Sequence, residues 1–199
     1  MLRSQSVRYA PVRYSRGVTM LEVLIAIFIL TVGLLGVAGM QVQMQNAELE
    51  AYQRAQAIVL LQDMVDRVNA NRKNAANYVT AAALGTASKI DCTAPATVAA
   101  RDQCTWHSAL LGAAETSGGT QLGAMNGARG CISNPVTTMP RQMIVAVAWQ
   151  GVSPTAVPAA TACGQDEYGA DDRFRRAMVA SITIGCLQND PTTGICVTP

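Results

Sequence analysis

Histidine occurs once in the 199 residues, at His107. A Ser–His–Asp triad or a metal site would have to be built on that single imidazole, with no second one to assist it. A loop or surface position is the expectation for His107. The six cysteines include no C-x₂₋₄-C pair, the close spacing that a zinc site favours. Gly118-Gly119 is not followed by Gly-Lys-Thr/Ser, and no GxGxxG opens a helix after a strand, so phosphate-cradling loops are missing. The acids Asp166, Glu167, Asp171 and Asp172 lack the D-x-D-x-D-G spacing of a calcium loop and read as a solvated stretch. No catalytic residue, metal site or cofactor is expected. Aromatics make up 5% of the chain, so any soluble core is modest. Between Met20 and Met40 charge itself is nearly missing: 21 residues hold only Glu22.

That apolar run is the main positive feature. As a helix it is roughly 31 Å long, the thickness of a bilayer core. A basic stretch with Arg3, Arg8, Arg13 and Arg16 and no acid precedes it. These arginines place residues 1–17 in the cytoplasm and the rest outside. They also account for the net charge of +2, since removing them leaves 11 basic and 13 acidic residues. The basic balance therefore describes a leader and not a nucleic-acid surface. In a secretory signal the small-residue cleavage site follows the apolar core. Here Gly17 stands before it, so a cut after Gly17 would leave the helix in place. Glu22 then needs an explanation. A carboxylate in an apolar helix costs up to ~3 kcal/mol at mid-membrane and less near an end. A cut at Gly17–Val18 would create an amine one turn away, and the amine of another copy could pair with Glu22 and set the register of packed helices.

The organisation of the rest follows from patterning. Residues 18–78 read as one long helix, membrane-spanning over about 20–40. Gly33, Gly36 and Gly39 serve close packing or local flexibility there. Beyond Gln41 the helix turns polar, with Ile58, Leu61, Val65 and Val68 as its apolar face and Ala51, Ala55 and Met64 beside it. Arg54, Asp63, Asp66, Arg67, Arg72 and Lys73 read as the solvated face. Residues 79–128 read as a long loop with a short helix near Thr105–Leu111. Strands are expected at Arg129–Ser133, Gln142–Gln150 and Arg176–Gly185, forming an antiparallel sheet of three to four strands against the helix. All six cysteines (Cys92, Cys104, Cys131, Cys163, Cys186 and Cys196) follow the helix, which reads as disulfides in a translocated domain covering 79–199. Six allow 15 pairings. Cys92–Cys104 would close a local loop, and another bridge would tie down the C-terminal tail.

Arg16-Gly17-Val18-Thr19-Met20-Leu21-Glu22 and the run behind it resemble a type IV prepilin signal. GLLGVAGMQ at Gly33–Gln41, DMVDRVNANRKNAANY at Asp63–Tyr78, VAVAWQG at Val145–Gly151, Cys163-Gly164 and Arg175-Arg176 are similar to the PilV group of minor pilins. The resemblance implies an α+β type IV pilin fold, with a long N-terminal helix on a small antiparallel sheet. It implies cleavage after Gly17 by a prepilin peptidase, methylation of Val18, and Glu22 as the register residue. Partners would be other minor and major pilins through the N-terminal helix, and a tip adhesin. The location would be the inner membrane before assembly and the surface pilus afterwards. The implied role is initiation of pilus assembly in a tip-proximal complex, with no direct nucleic-acid contact. A minor pseudopilin of a type II secretion system shares the same signal. A membrane-anchored periplasmic binding protein would leave Gly17 uncut, or be cut after Ala38.

Overall fold

The computed structural model describes residues 17–86, 90, 92–112, 116–117, 120–121, 125–138 and 141–186. Arg3, Arg8, Arg13, Arg16 and Cys196 lie outside the described residues, as does most of the proposed leader. The chain divides into two units, Met1–Gln45 and Asn46–Pro199. A continuous helix, α1 (Met20–Ala70), begins in the first unit and ends in the second. Within the first unit every described residue is exposed, including Leu24, Ile27, Phe28, Leu34 and Leu35. By length and composition α1 is able to cross a membrane.

In the second unit α1 stops earlier than its composition suggests. Asn71 departs from helical geometry at φ −118° and ψ 37°, and a 3-10 turn, Arg72–Tyr78, replaces the expected last turns. Asparagine side chains compete with helix geometry through local hydrogen bonds. Here Asn71 Nδ2 donates to the Tyr78 hydroxyl at 3.2 Å, and Asn74 Nδ2 donates to Asn71 Oδ1 at 2.9 Å. A second helix, α2 (Val98–Leu110), starts seven residues before the expected Thr105. Thr97 caps it, its side chain accepting from the Ala100 N–H at 3.1 Å. Two short strands, β1 (Thr116–Ser117) and β2 (Thr120–Gln121), pair with each other.

The main sheet is antiparallel, in the order β3 (Arg129–Val136), β4 (Arg141–Gln150) and β5 (Arg175–Ile184). Central β4 is buried on both faces, because alternate residues meet different neighbours. Met143, Val145, Val147 and Trp149 join Ala57, Leu61, Met64 and Val68 of α1 in the principal core. Ala146 and Ala148 join Cys163 and Tyr168 in a smaller one. The α1 stripe is therefore i, i+4, i+7, i+11 from Ala57. The expected face shares Leu61 and Val68 with it, and Val65 packs partly buried against the same core, but Ala57 is buried where Ile58 was expected, and Ile58 is 47% exposed. Ala57 faces the core and Ile58, the next residue around the helix, lies outside it. Each large side chain buried here contributes on the order of 1.5–3 kcal/mol.

Trp106 of α2 is fully buried, and its indole N–H donates to the Leu60 carbonyl at 2.8 Å. Its ring lies over Gly130 of β3, where a Cβ would overlap Trp106 and Leu110. Gly130→Ala is expected to lower stability by about 1–3 kcal/mol through overpacking. Thermal unfolding of the purified protein checks this, and an unchanged midpoint would show that the Trp106 seat yields freely.

Candidate functional site

The residues singled out at the N-terminus lie together in the chain. Gly17 and Val18 precede α1 and are exposed, Val18 at 70%. Among the described residues, no heavy atom beyond its chain neighbours lies within 4 Å of the position a Gly17 Cβ would take. Glu22 falls in the first turn of α1. Thr19, which sequence reasoning passed over, organises this turn. Its hydroxyl and its carbonyl both accept from the Glu22 N–H, at 3.3 and 3.0 Å. Thr19-x-x-Glu22 is the spacing of a capping box, and that spacing was the available signal. Carboxylates are also favoured near a helix N-terminus by the backbone dipole. The position of Glu22 thus has a local physical reason as well as the proposed intermolecular one. Gly33, Gly36 and Gly39 are all helical, with open space where a Cβ would stand.

The cysteines belong to the second unit. Cys92 pairs with Cys104 of α2, and Cys131 of β3 pairs with Cys163. Cys186 is also disulfide-bonded. Another bridge was expected to tie down the C-terminal tail, of which residues 187–199, with Cys196, lie outside the described residues.

Polar groups expected at the surface fasten this unit instead. The Arg67 guanidinium reaches Asp63 at 2.9 Å and Asp102 of α2 at 3.1 Å, so it is half-buried and not on a solvated face. Asp102 also accepts from the Tyr78 hydroxyl at 2.5 Å. Burial, followed by the Asp102 contact, pushes the Tyr78 phenol up to about 12. Glu50 of α1 meets Arg176 of β5 at 2.9 Å. Partial burial pushes the Glu50 carboxyl up, but Arg176 and the contacts of Val152 and Ser153 outweigh it and hold it below the ordinary carboxylate range.

The acidic stretch is likewise engaged. Asp172 binds Arg175, which is 2% exposed and also donates to the carbonyls of Pro158, Thr161 and Cys163. Glu167 binds Arg129 at 2.8 Å. One guanidinium thus gathers three loop carbonyls and a carboxylate, which holds the proline-containing loop between β4 and β5. His107 is buried in α2 and not in a surface loop, since the helix begins before it and turns it inward. Among the described residues no cluster of three or more His, Cys, Asp or Glu side chains is placed to hold a metal ion.

Two family models match the chain. Residues 12–38 match the prokaryotic N-terminal methylation motif. Residues 39–109 match the type IV pilin Tt1218 family. The matched segments support a likeness to type IV pilins. The first match covers Gly17, Val18, Thr19 and Glu22, and the second covers the remainder of α1, the 3-10 turn and most of α2. The long apolar helix with a small three-stranded antiparallel sheet is consistent with the type IV pilin fold. No curated protein and no solved structure matches the chain.

Thr19→Ala is expected to weaken the first turn of α1 by about 1 kcal/mol. Amide exchange at Glu22 and Val23 should accelerate about fivefold. Unchanged exchange would remove Thr19 as a cap.

Proposed function

We propose that this chain is a minor pilin of the PilV group that supports the initiation of type IV pilus assembly and enters the fibre near its tip. The observation that carries the reading is the methylation-motif match over 12–38, which falls on an apolar helix with every described side chain exposed within its unit. Such a helix needs lipid before assembly and neighbouring helices after it. The peptidase would cut between Gly17 and Val18 and methylate the Val18 amine. Residues 1–17 would be lost, leaving the Thr19 cap intact. Glu22 would accept the N-terminal amine of a neighbouring subunit. Gly33, Gly36 and Gly39 would let helices approach closely or let this segment yield in the fibre. The globular residues 79–199 would stand in the periplasm and then on the cell surface, facing other pilins and a tip adhesin. No catalytic step is assigned to the chain.

Glu22→Ala is expected to leave cleavage intact while reducing the protein in sheared pili by about tenfold, the effect of losing roughly 1.4 kcal/mol of pairing. Quantitative immunoblots of the membrane and pilus fractions test this, and normal pilus levels would refute the register role. Gly17→Trp should block processing altogether. Mass spectrometry of the N-terminal peptide reads the result directly. The wild type should begin at N-methylated Val18 and the variant at Met1. A wild-type chain beginning at Met1, or after Ala38, would overturn the reading.

A further inference from the structure

Val79–Thr86 runs along the outer edge of β3. The Thr80 N–H donates to the Ile132 carbonyl at 2.9 Å, and the Ile132 N–H returns to the Thr80 hydroxyl at 2.9 Å. Leu84 and Gly130 exchange two backbone hydrogen bonds, at 2.8 and 2.9 Å. The segment therefore covers backbone groups that an edge strand would otherwise offer to another chain.

A side chain of α2 holds the end of this cover. The Gly85 N–H donates to Nδ1 of His107 at 3.0 Å. Gly85 is held at φ +81°, and a Cβ there would overlap the Ala128 carbonyl and Leu110. The seat is narrow and requires glycine. Because Nδ1 accepts, the imidazole is neutral and carries its proton on Nε2. His107 is 6% exposed.

Among the described residues, the surrounding charges leave the ring without a counterion. Val79–Thr86 contains no ionisable residue. On α2, Asp102 is taken by Arg67 and Tyr78. Arg101, also on α2, is exposed. Arg129 and Glu167 line the same cavity of about 600 Å³ as His107 and bind each other. Cys104, three residues before His107, is consumed by its disulfide.

We propose that His107 is an acid-sensitive latch: a proton on Nδ1 removes the acceptor of the Gly85 N–H, releases the Leu84–Thr86 end of the cover and uncovers the edge of β3 at Gly130. Imidazolium has donors at both nitrogens, so N–H would face N–H across 3.0 Å. Burial lowers the His107 pKa from its ordinary value of 6.5. A lowered folded-state value means that the stabilisation is present above the unfolded-state pKa and lost as pH falls through the folded one. The latch is therefore closed at neutral pH and opens in acid. An uncovered strand edge is the kind of surface that pairs with an extended segment of a partner.

Hydrogen exchange of the full chain in detergent micelles tests the latch between pH 7.5 and 4.5, corrected for intrinsic rates. Protection at Gly85, Leu84 and Gly130 should fall about tenfold or more in the wild type. His107→Asn offers an Oδ1 acceptor without a titrating ring, and its protection should stay flat. Constant protection in the wild type overturns the proposal, as does an equal fall in the variant. Should His107→Asn fail to fold, ring resonances of the wild type replace it. A His107 titration midpoint coinciding with the loss of Gly85 protection supports the latch, and separate midpoints refute it.

Discussion

The second unit depends on one contact surface, the stripe Ala57, Leu61, Met64 and Val68 laid against β4. A strand in the middle of a three-stranded sheet has backbone partners on both edges, but its side chains still need cover on both faces. Helix α1 covers one face. The other is covered by loop residues, chiefly Cys163 and Tyr168. A loop cannot form a regular apolar layer, so it is fixed by specific bonds instead. Arg175 gathers its carbonyls and the Cys131–Cys163 disulfide ties it to β3. Burying an arginine would cost several kcal/mol if its charge were unmatched. The bidentate contact with Asp172 and the three carbonyls make that burial tolerable.

The first unit presents the opposite problem. Among its described residues every apolar side chain is exposed. At about 25 cal/mol per Å² of apolar surface, leaving so many aliphatic side chains in water would cost tens of kcal/mol, more than a domain's whole stability. The physical demand for lipid or neighbouring helices is therefore stronger than any single motif. It agrees with the methylation motif matched over the same residues.

The sequence was most legible where periodicity was long and regular. The apolar run, β4 and β5 were read to within a residue or two, since alternation or continuous hydrophobicity marked them. It was least legible where one side chain decided the outcome. The end of α1 turned on Asn71 bonding to Tyr78, a contact invisible to composition. Helix α2 was read too short because its alanine-rich first turn has little periodicity. Thr97 three residues before Ala100 was the missed cap. Arg67 and His107 were assigned to solvent because polar residues usually lie there. Each is held inward by partners distant in sequence, Asp102 for Arg67 and Gly85 for His107. At the N-terminus Gly17 and Glu22 were singled out as expectations, while Thr19 between them, which caps α1, was not, although its spacing to Glu22 is plain in the sequence.

Thr19 bears on how Glu22 acts under the proposed reading. An acidic side chain near a helix start gains about 0.3–1 kcal/mol from the backbone dipole. Placing the same carboxylate among apolar helices costs up to ~3 kcal/mol. The local gain is thus enough to favour Glu22 at a wet membrane boundary but not inside a dry bundle. A cationic amine must offset the remainder there, and cleavage after Gly17 is what would supply one. Processing and packing are then coupled through charge: the uncut chain would have no free amine at Val18 to offer its neighbour. The cap survives the cut because Thr19 lies on the retained side, so the first turn that aims Glu22 would be ordered both before and after processing.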